Sequence, residues 1–501
     1  MVTKKEPDIQ LLLKQAGNNL SAIDQIAHLA LQRRLPLEPV LQAYKKFLTA
    51  RPDSSNAAFN FAYYLSKNGQ FEAAVNLYRR SLKLNIDAPE EVHLNIANIY
   101  MDHLKDVGKA REHLQKALAL NNRYASAYHN LGNLSEQAGD RLEATRCFSR
   151  CLEIDPANET ALARLADAHK FNVNDDPLLA RLIAVARNSR NSDVHFAVGR
   201  AYEQLGQFEQ AWQHFSKANF LDKPTLPVYR DASIESDFQK IISQCNSQWL
   251  NQFQGEGCES VFICGMFRTG STLLEQVLAA HPVFTAGGES EFFPRLVSRE
   301  FRKFPSGLDD IIAGKVETWR EQHHMHSLKL HGDSSRVTDK RPDNFLHIGL
   351  IKAVLPAAKF VVTERDWRDV ATSVFSTRLG QGQSYATSLK DIRHYIGLQK
   401  KLIDHWQSLL GSDLIRIQYE DLVTEPRETI TGMLEALGES WDDNCLSFHQ
   451  LRNSVQTASV WQVREPFHSK SVGRWRNYQA QFEEAFGSDS LYSLDSIIPP
   501  H

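Results

Sequence analysis

Residues 261–274 read VFICGMFRTGSTLL. Val261–Cys264 is a short apolar run that predicts a buried strand, and Thr272–Ala280 (TLLEQVLAA) begins an amphipathic helix. Between them lies Gly265-x4-Gly270, followed by Ser271 and Thr272. Strand, glycine loop and helix make the context in which backbone N–H groups at a helix start cradle an oxyanion. Thr269, Ser271 and Thr272 add hydroxyl donors to that cradle. A nucleotide kinase or ATPase carries Lys where this chain carries Ser271, and no acidic strand end offers itself for magnesium. ATP hydrolysis is therefore disfavoured. Arg268 supplies instead a planar, permanent charge suited to a phosphate or a sulfonate.

Downstream, "AKFVVTER" and "DLIRIQYED" are further β-rich runs separated by helical stretches. Strands alternating with helices predict a parallel sheet with crossover helices, an α/β domain over roughly 259–485. Arg365 stands at the C-terminal end of its run, where ligands of open α/β sheets bind. Ser373 follows eight residues later on the expected helix. A second anion held by Arg365 and Ser373 would lie at the same sheet edge as the first. Two separated anion sites suggest a nucleotide phosphorylated at both ends.

Upstream the chain repeats itself every 34 to 35 residues. Small residues Ala62, Ala97, Gly132 and Gly199 recur at one position, and Ala74, Ala110, Ala144 and Ala211 at another. A large residue follows four later: Tyr78, Leu114, Phe148 and Phe215. Each unit reads as a helical hairpin that buries its apolar face only by stacking on its neighbours. Residues 21–54 read as a degenerate first copy, and 159–191 as an irregular one. The expected organisation is a helical-repeat domain over 1–226, a linker helix over 227–258, the α/β domain over 259–485 and a tail over 486–501.

The bulk numbers fit this picture. A chain of 501 residues with 42% hydrophobic and 23% charged residues is ordinary for globular domains, and a net charge of −3 gives no general reason to expect nucleic acid as partner. The N-terminal apolar run stops after Leu13, too short and polar for a signal peptide, and no run approaches the roughly 18 apolar residues that span a bilayer. Cys147, Cys151, Cys245, Cys258, Cys264 and Cys445 are scattered without metal or disulfide spacing. A cytoplasmic protein without a membrane span is expected. His323, His324, His326 and His331 fit no strong metal template, and no metal is expected.

Taken together, "FICGMFRTGSTLLEQVLAAHP", "ERDWRDVATSVFS" and "IQYEDLVTEP" resemble sulfotransferases that use 3′-phosphoadenosine 5′-phosphosulfate (PAPS). "GGESEFFPRL", "TDKRPDNF" and "TASVWQVREPF…SVGRWRNY" look like the tyrosylprotein branch and its repeat-fused relatives, and the first half resembles tetratricopeptide repeats. The resemblance implies an α/β P-loop-like fold after an all-α solenoid, with PAPS as cosubstrate and no metal. It implies that Arg268, Thr269, Gly270, Ser271 and Thr272 hold the 5′-phosphosulfate, and that Arg365 and Ser373 grip the 3′-phosphate. Tyr419 matches a cofactor-contacting tyrosine. Ser459 through Phe467, with Gln462 and Val463, matches a closing loop, and Arg474 stands where the family often has Lys. Arg378 is one position displaced from a family arginine. Glu289 matches the general base, Lys340 the lysine aimed at the leaving oxygen, and Ser459 a second stabiliser. In the tyrosylprotein branch an arginine three residues after the catalytic Glu grips substrate; this chain has Phe292 there, while Arg295 matches its companion. The implied reaction moves a sulfuryl group to an acceptor hydroxyl, with protein or peptide tyrosine the first candidate and the repeats recruiting a protein or peptide. A metabolite or carbohydrate acceptor, and a nucleotide-binding scaffold without turnover, stay open as alternatives.

Overall fold

The computed structural model describes residues 8–253, 255, 259–332, 336–380, 382–451, 453–457 and 459–488. Cys258 and, from position 489 on, the expected tail lie outside these residues. The chain divides into two compact units, Met1–Ala161 and Leu162–His501.

The first unit is helical throughout: α1 (Ile9–Ala16), α2 (Leu20–Gln32), α3 (Glu38–Ala50), α4 (Ser55–Lys67), α5 (Phe71–Lys83), α6 (Pro89–Asp102), α7 (Val107–Leu120), α8 (Ala125–Gln137) and α9 (Arg141–Ile154). Consecutive helices pair as hairpins, and the small residues that set the sequence period are buried: Ala62, Ala74, Ala97 and Ala110 are at most 1% exposed. The degenerate copy expected over 21–54 folds as the hairpin α2–α3.

The boundary between units falls inside α10 (Glu159–Ala168), which is followed by α11 (Pro177–Ala186), α12 (Ser192–Gln204) and α13 (Phe208–Asp222). Then come α14 (Asp231–Gln244), α15 (Ser247–Leu250), β1 (Val261–Gly265), α16 (Ser271–Ala280), β2 (Phe284–Ala286), α17 (Phe292–Glu300) and α18 (Ala313–His331). The remainder is β3 (Arg336–Asp339), α19 (Ile348–Val354), β4 (Lys359–Glu364), α20 (Trp367–Phe375), α21 (Leu389–Leu410), β5 (Leu414–Gln418), α22 (Tyr419–Thr424), α23 (Pro426–Ala436) and α24 (Gln479–Phe486).

The five strands form one parallel sheet in the order β2-β3-β1-β4-β5. Side chains alternate across it, as the period of a strand requires. Phe262, Cys264, Phe360 and Val362 enter a core with Trp406 and Trp249. Val261, Ile263 and Val361 enter another with Leu274 and Val277 of α16 and Met433 of α23. Both faces are covered, which explains why the strands read as continuous apolar runs. All five C-terminal strand ends then point to one edge.

A third apolar cluster joins α12 and α13 to α20 and α21 through Phe196, Phe215, Val374 and Ile392. The last repeat hairpin thus shares a core with the α/β part of its unit. Within that hairpin a Cβ added at Gly199 would lie 2.4 Å from the Phe215 ring. Gly432 of α23, in contrast, has nothing within 4 Å of such an atom. In urea titrations of this unit, Gly199→Ala should lose on the order of 1–3 kcal/mol by overpacking. Gly432→Ala should gain about 0.5–1 kcal/mol from helix propensity alone. Equal effects would contradict the packing described.

Candidate functional site

The loop after β1 is shaped by its backbone and by Tyr419. Arg268 adopts φ 74° and Gly270 φ 99°. A Cβ at Gly270 would lie 2.6 Å from Cδ2 of Tyr419, so the ring and the loop meet only over a glycine. Thr269 turns inward: its hydroxyl donates to the Met266 carbonyl at 2.7 Å and bonds the Thr363 hydroxyl at 2.7 Å. It ties the loop to β4 rather than facing a ligand. Among the described residues no side chain caps the start of α16, where Ser271 and Thr272 stand. Orphan N–H groups at such a start suit an anion.

Arg268 gathers the predicted residues. Its Nε donates to Ser373 Oγ at 2.9 Å, Nη1 donates to Ser459 Oγ, and Nη2 donates to Gln462 Oε1 at 3.3 Å. Its carbonyl accepts from Arg365 Nη1 at 3.2 Å. The Arg365 guanidinium lies 4.5 Å from the centre of the Tyr419 ring and also donates to the Ser471 carbonyl. Arg365 Nε is buried without a hydrogen-bond partner among the described residues. Burial, then the guanidinium groups of Arg474 and Arg365, push Arg268 down to about 9. Burial likewise holds Arg365 below the usual arginine range. Both stay cationic near neutrality. A cluster of partly dehydrated cations is an electrostatic cost that a bound anion relieves.

The segment after 455 closes on the start of α16. Thr272 Oγ1 donates to Thr457 Oγ1 at 3.4 Å, and Val455, Val460 and Val463 pack together beside Leu273. The Val463 side chain therefore serves this packing. Arg474 Nη2 donates to Ser376 Oγ at 2.9 Å, and its fork pairs with Glu203. Arg378 pairs with Asp193 and Asp222 of the repeat hairpin.

Toward the opposite side of the sheet, Lys340 follows β3 directly and Glu289 lies three residues after β2. Lys340 Nζ donates to Glu289 Oε1 at 2.7 Å; the lysine side chain is 2% exposed and the glutamate 37%. The Lys340 backbone N–H also donates to the Gly288 carbonyl at 2.7 Å. Glu275, on α16, accepts from Gly288 N at 2.9 Å and from Thr338 Oγ1 at 3.1 Å. It thereby ties α16 to the strand ends that carry Glu289 and Lys340. Sequence reading passed over Glu275; a lone carboxylate in the apolar stretch "TLLEQVL" was the available signal. Burial holds Glu275 above the usual carboxylate range. Arg295 stands apart, exposed on α17. Phe292 packs edge-on against His323, at 4.9 Å between ring centres, and that histidine is pushed down to about 4 by burial. Of the histidine cluster, His323 belongs to packing.

Residues 260–443 match the Sulfotransferase family, and residues 55–85, 90–124 and 125–158 match tetratricopeptide repeats. The second unit carries a sulfotransferase-family domain. An uncharacterised protein of Aquifex aeolicus is 26% identical over 362 residues, covering 68% of this chain. The chain spans only 47% of that relative's length. Protein-tyrosine sulfotransferase A of Caenorhabditis elegans is 23% identical over 57% of this chain and 78% of its own. Among solved structures, the sulfotransferase domain of the Synechococcus PCC 7002 olefin synthase aligns with 17% identity over 45% of this chain and 90% of its own, at a TM-score of 0.35.

In the sulfotransferase domain, Asp339 immediately precedes Lys340, and burial pushes it up to about 7. The folded protein therefore holds a proton there that the unfolded chain, near the ordinary 3.8, has released. Stability drawn from this group falls as pH rises from about 4 to about 7. Asp339→Asn, which does not titrate, should gain on the order of 2 kcal/mol over the parent between pH 5 and pH 8. Denaturation at the two pH values measures this; a pH-independent difference would contradict it.

Proposed function

We propose that the protein transfers a sulfuryl group from PAPS to an acceptor hydroxyl, with tyrosine of a protein or peptide as the leading acceptor. The observation that carries the reading is the convergence of Ser373, Ser459 and Gln462 on Arg268, beneath Arg365 and beside an uncapped helix start. These groups fit a bisphosphorylated nucleotide: two anionic ends meet donors on neighbouring strand ends, and Arg365 Nε is a buried donor with no hydrogen-bond partner among the described residues. Ser271, Thr272 and the N–H groups around them would hold the 5′ end, with Arg268 beside them. Arg365 and Ser373 would hold the 3′-phosphate, with Tyr419 fixing both the loop and Arg365 from below.

When bound, PAPS supplies an activated sulfuryl group whose bond to the bisphosphate oxygen breaks as the acceptor oxygen attacks sulfur. The chain's own contribution is positioning and charge. Glu289 takes the acceptor proton; a phenol near pKa 10 needs such a base at neutral pH. Lys340 and Ser459 steady negative charge at the leaving oxygen. The Glu289–Lys340 ion pair joins base and cation in one contact through Oε1. Similarity to protein-tyrosine sulfotransferases supports the phenolic acceptor, and Phe292 in place of a gripping arginine argues for a less acidic peptide. The tetratricopeptide repeats serve to recruit a protein or peptide.

Radiolabelled sulfate transfer to tyrosine peptides and to cell extract tests the assignment. Glu289→Gln should lower kcat by roughly 10²–10⁴-fold. Lys340→Ala should lower it by roughly 10²–10³-fold. Binding of adenosine 3′,5′-bisphosphate should persist in both. Unchanged transfer rates in either variant would remove these roles.

A further inference from the structure

The seam between the last repeat hairpin and the sulfotransferase domain lies one helical turn from Ser373. Trp212 of α13 stacks on Phe375 with ring centres 4.5 Å apart, and Asn219 Nδ2 donates to the Phe375 carbonyl at 2.7 Å. At this seam Arg474 is fixed from both ends. Asp369 Oδ2 accepts from Gly473 N at 2.6 Å and Oδ1 from Trp475 N at 2.8 Å, which clamps the backbone on either side of Arg474. Glu203 of α12 takes the guanidinium fork: Nε to Oε1 at 2.6 Å and Nη2 to Oε2 at 2.7 Å. Each partner is only 19% exposed. A bidentate, mostly buried pair sets the rotamer of an arginine far more firmly than a surface contact does. Held this way, Arg474 also reaches Ser376, whose Oγ donates to the Ser373 carbonyl at 3.3 Å.

We infer that Glu203 is a positioning residue for the second phosphate of the nucleotide, holding Arg474 beside Ser373 and Ser376 so that the last repeat hairpin forms part of the nucleotide site. This rests on the bisphosphate reading above. Glu203 touches no reacting atom; it acts through Arg474. The hairpin is then not only a module for partners. Its docking and the affinity for the 3′-phosphate are linked, and each reinforces the other.

The test compares calorimetric affinities for adenosine 3′,5′-bisphosphate and for 5′-AMP, which lacks the 3′-phosphate. The parent should prefer the bisphosphate. Glu203→Ala should cut that preference about tenfold or more, the scale of a hydrogen bond to a charged group, while 5′-AMP affinity stays within about twofold. Glu203→Gln, which can keep one bond to Arg474, should fall between. Asp193→Ala, which breaks the neighbouring pair with Arg378 on the same hairpin, should leave the preference intact. In turnover, Glu203→Ala should raise KM for PAPS and leave kcat unchanged. An unchanged or greater preference in Glu203→Ala would overturn the inference, as would an equal loss for both ligands. A parent that binds neither ligand would overturn the nucleotide reading, and this inference with it. A parent whose preference survives in Glu203→Ala overturns the role of Glu203 alone.

Discussion

Arg268 is the residue on which the site depends. Its side chain bonds residues 105, 191 and 194 positions away in the chain, so two distant segments, the helix α20 and the closing segment, meet on one guanidinium. Such a group is placed at a cost, because burial and neighbouring arginines lower its affinity for its own proton. The surrounding fold tolerates that cost because the sheet beneath is covered by apolar cores on both faces. An arrangement that is electrostatically unfavourable by itself, yet fixed by many contacts, is one that a ligand of opposite charge would stabilise.

The sheet order separates the chemistry. β1 is central, with β3 and β2 on one side and β4 and β5 on the other. The cations suited to anions follow β1 and β4, while the Glu289–Lys340 pair follows β2 and β3. Neighbouring strands lie about 5 Å apart, so the two groups occupy adjacent parts of one edge. Glu275 spans them, since its carboxylate, on α16, bonds both the Gly288 N–H and Thr338. A shift of that helix would therefore be felt at the pair.

How much was legible in the sequence depended on distance along the chain. The strand–loop–helix around Arg268 and the Arg365–Ser373 spacing are local patterns, and they lie where the sequence suggests. The repeat hairpins were legible because small and large residues recur at a fixed period, and even the degenerate copy folds as α2–α3. Glu275, Asp369 and Glu203 were not legible, because each acts through a partner that only folding brings near. The Glu203–Arg474 pair joins positions 271 apart. Thr269 and Val463 show the opposite case: they stand in the right motifs, but their side chains serve the packing of the loop and the closing segment. A motif gives the position of a residue; which way its side chain turns depends on neighbours the motif does not contain.

The function proposed above requires the edge above β1 and β4 to hold a bisphosphorylated nucleotide, without the lysine and magnesium of an ATP site. Titration calorimetry of the full chain with adenosine 3′,5′-bisphosphate, in EDTA and in magnesium, tests this most directly, with ATP as the comparison ligand. The bisphosphate should bind tightly and equally well in EDTA, and ATP should show no measurable binding. Magnesium-dependent binding of ATP, with none of the bisphosphate, would contradict it.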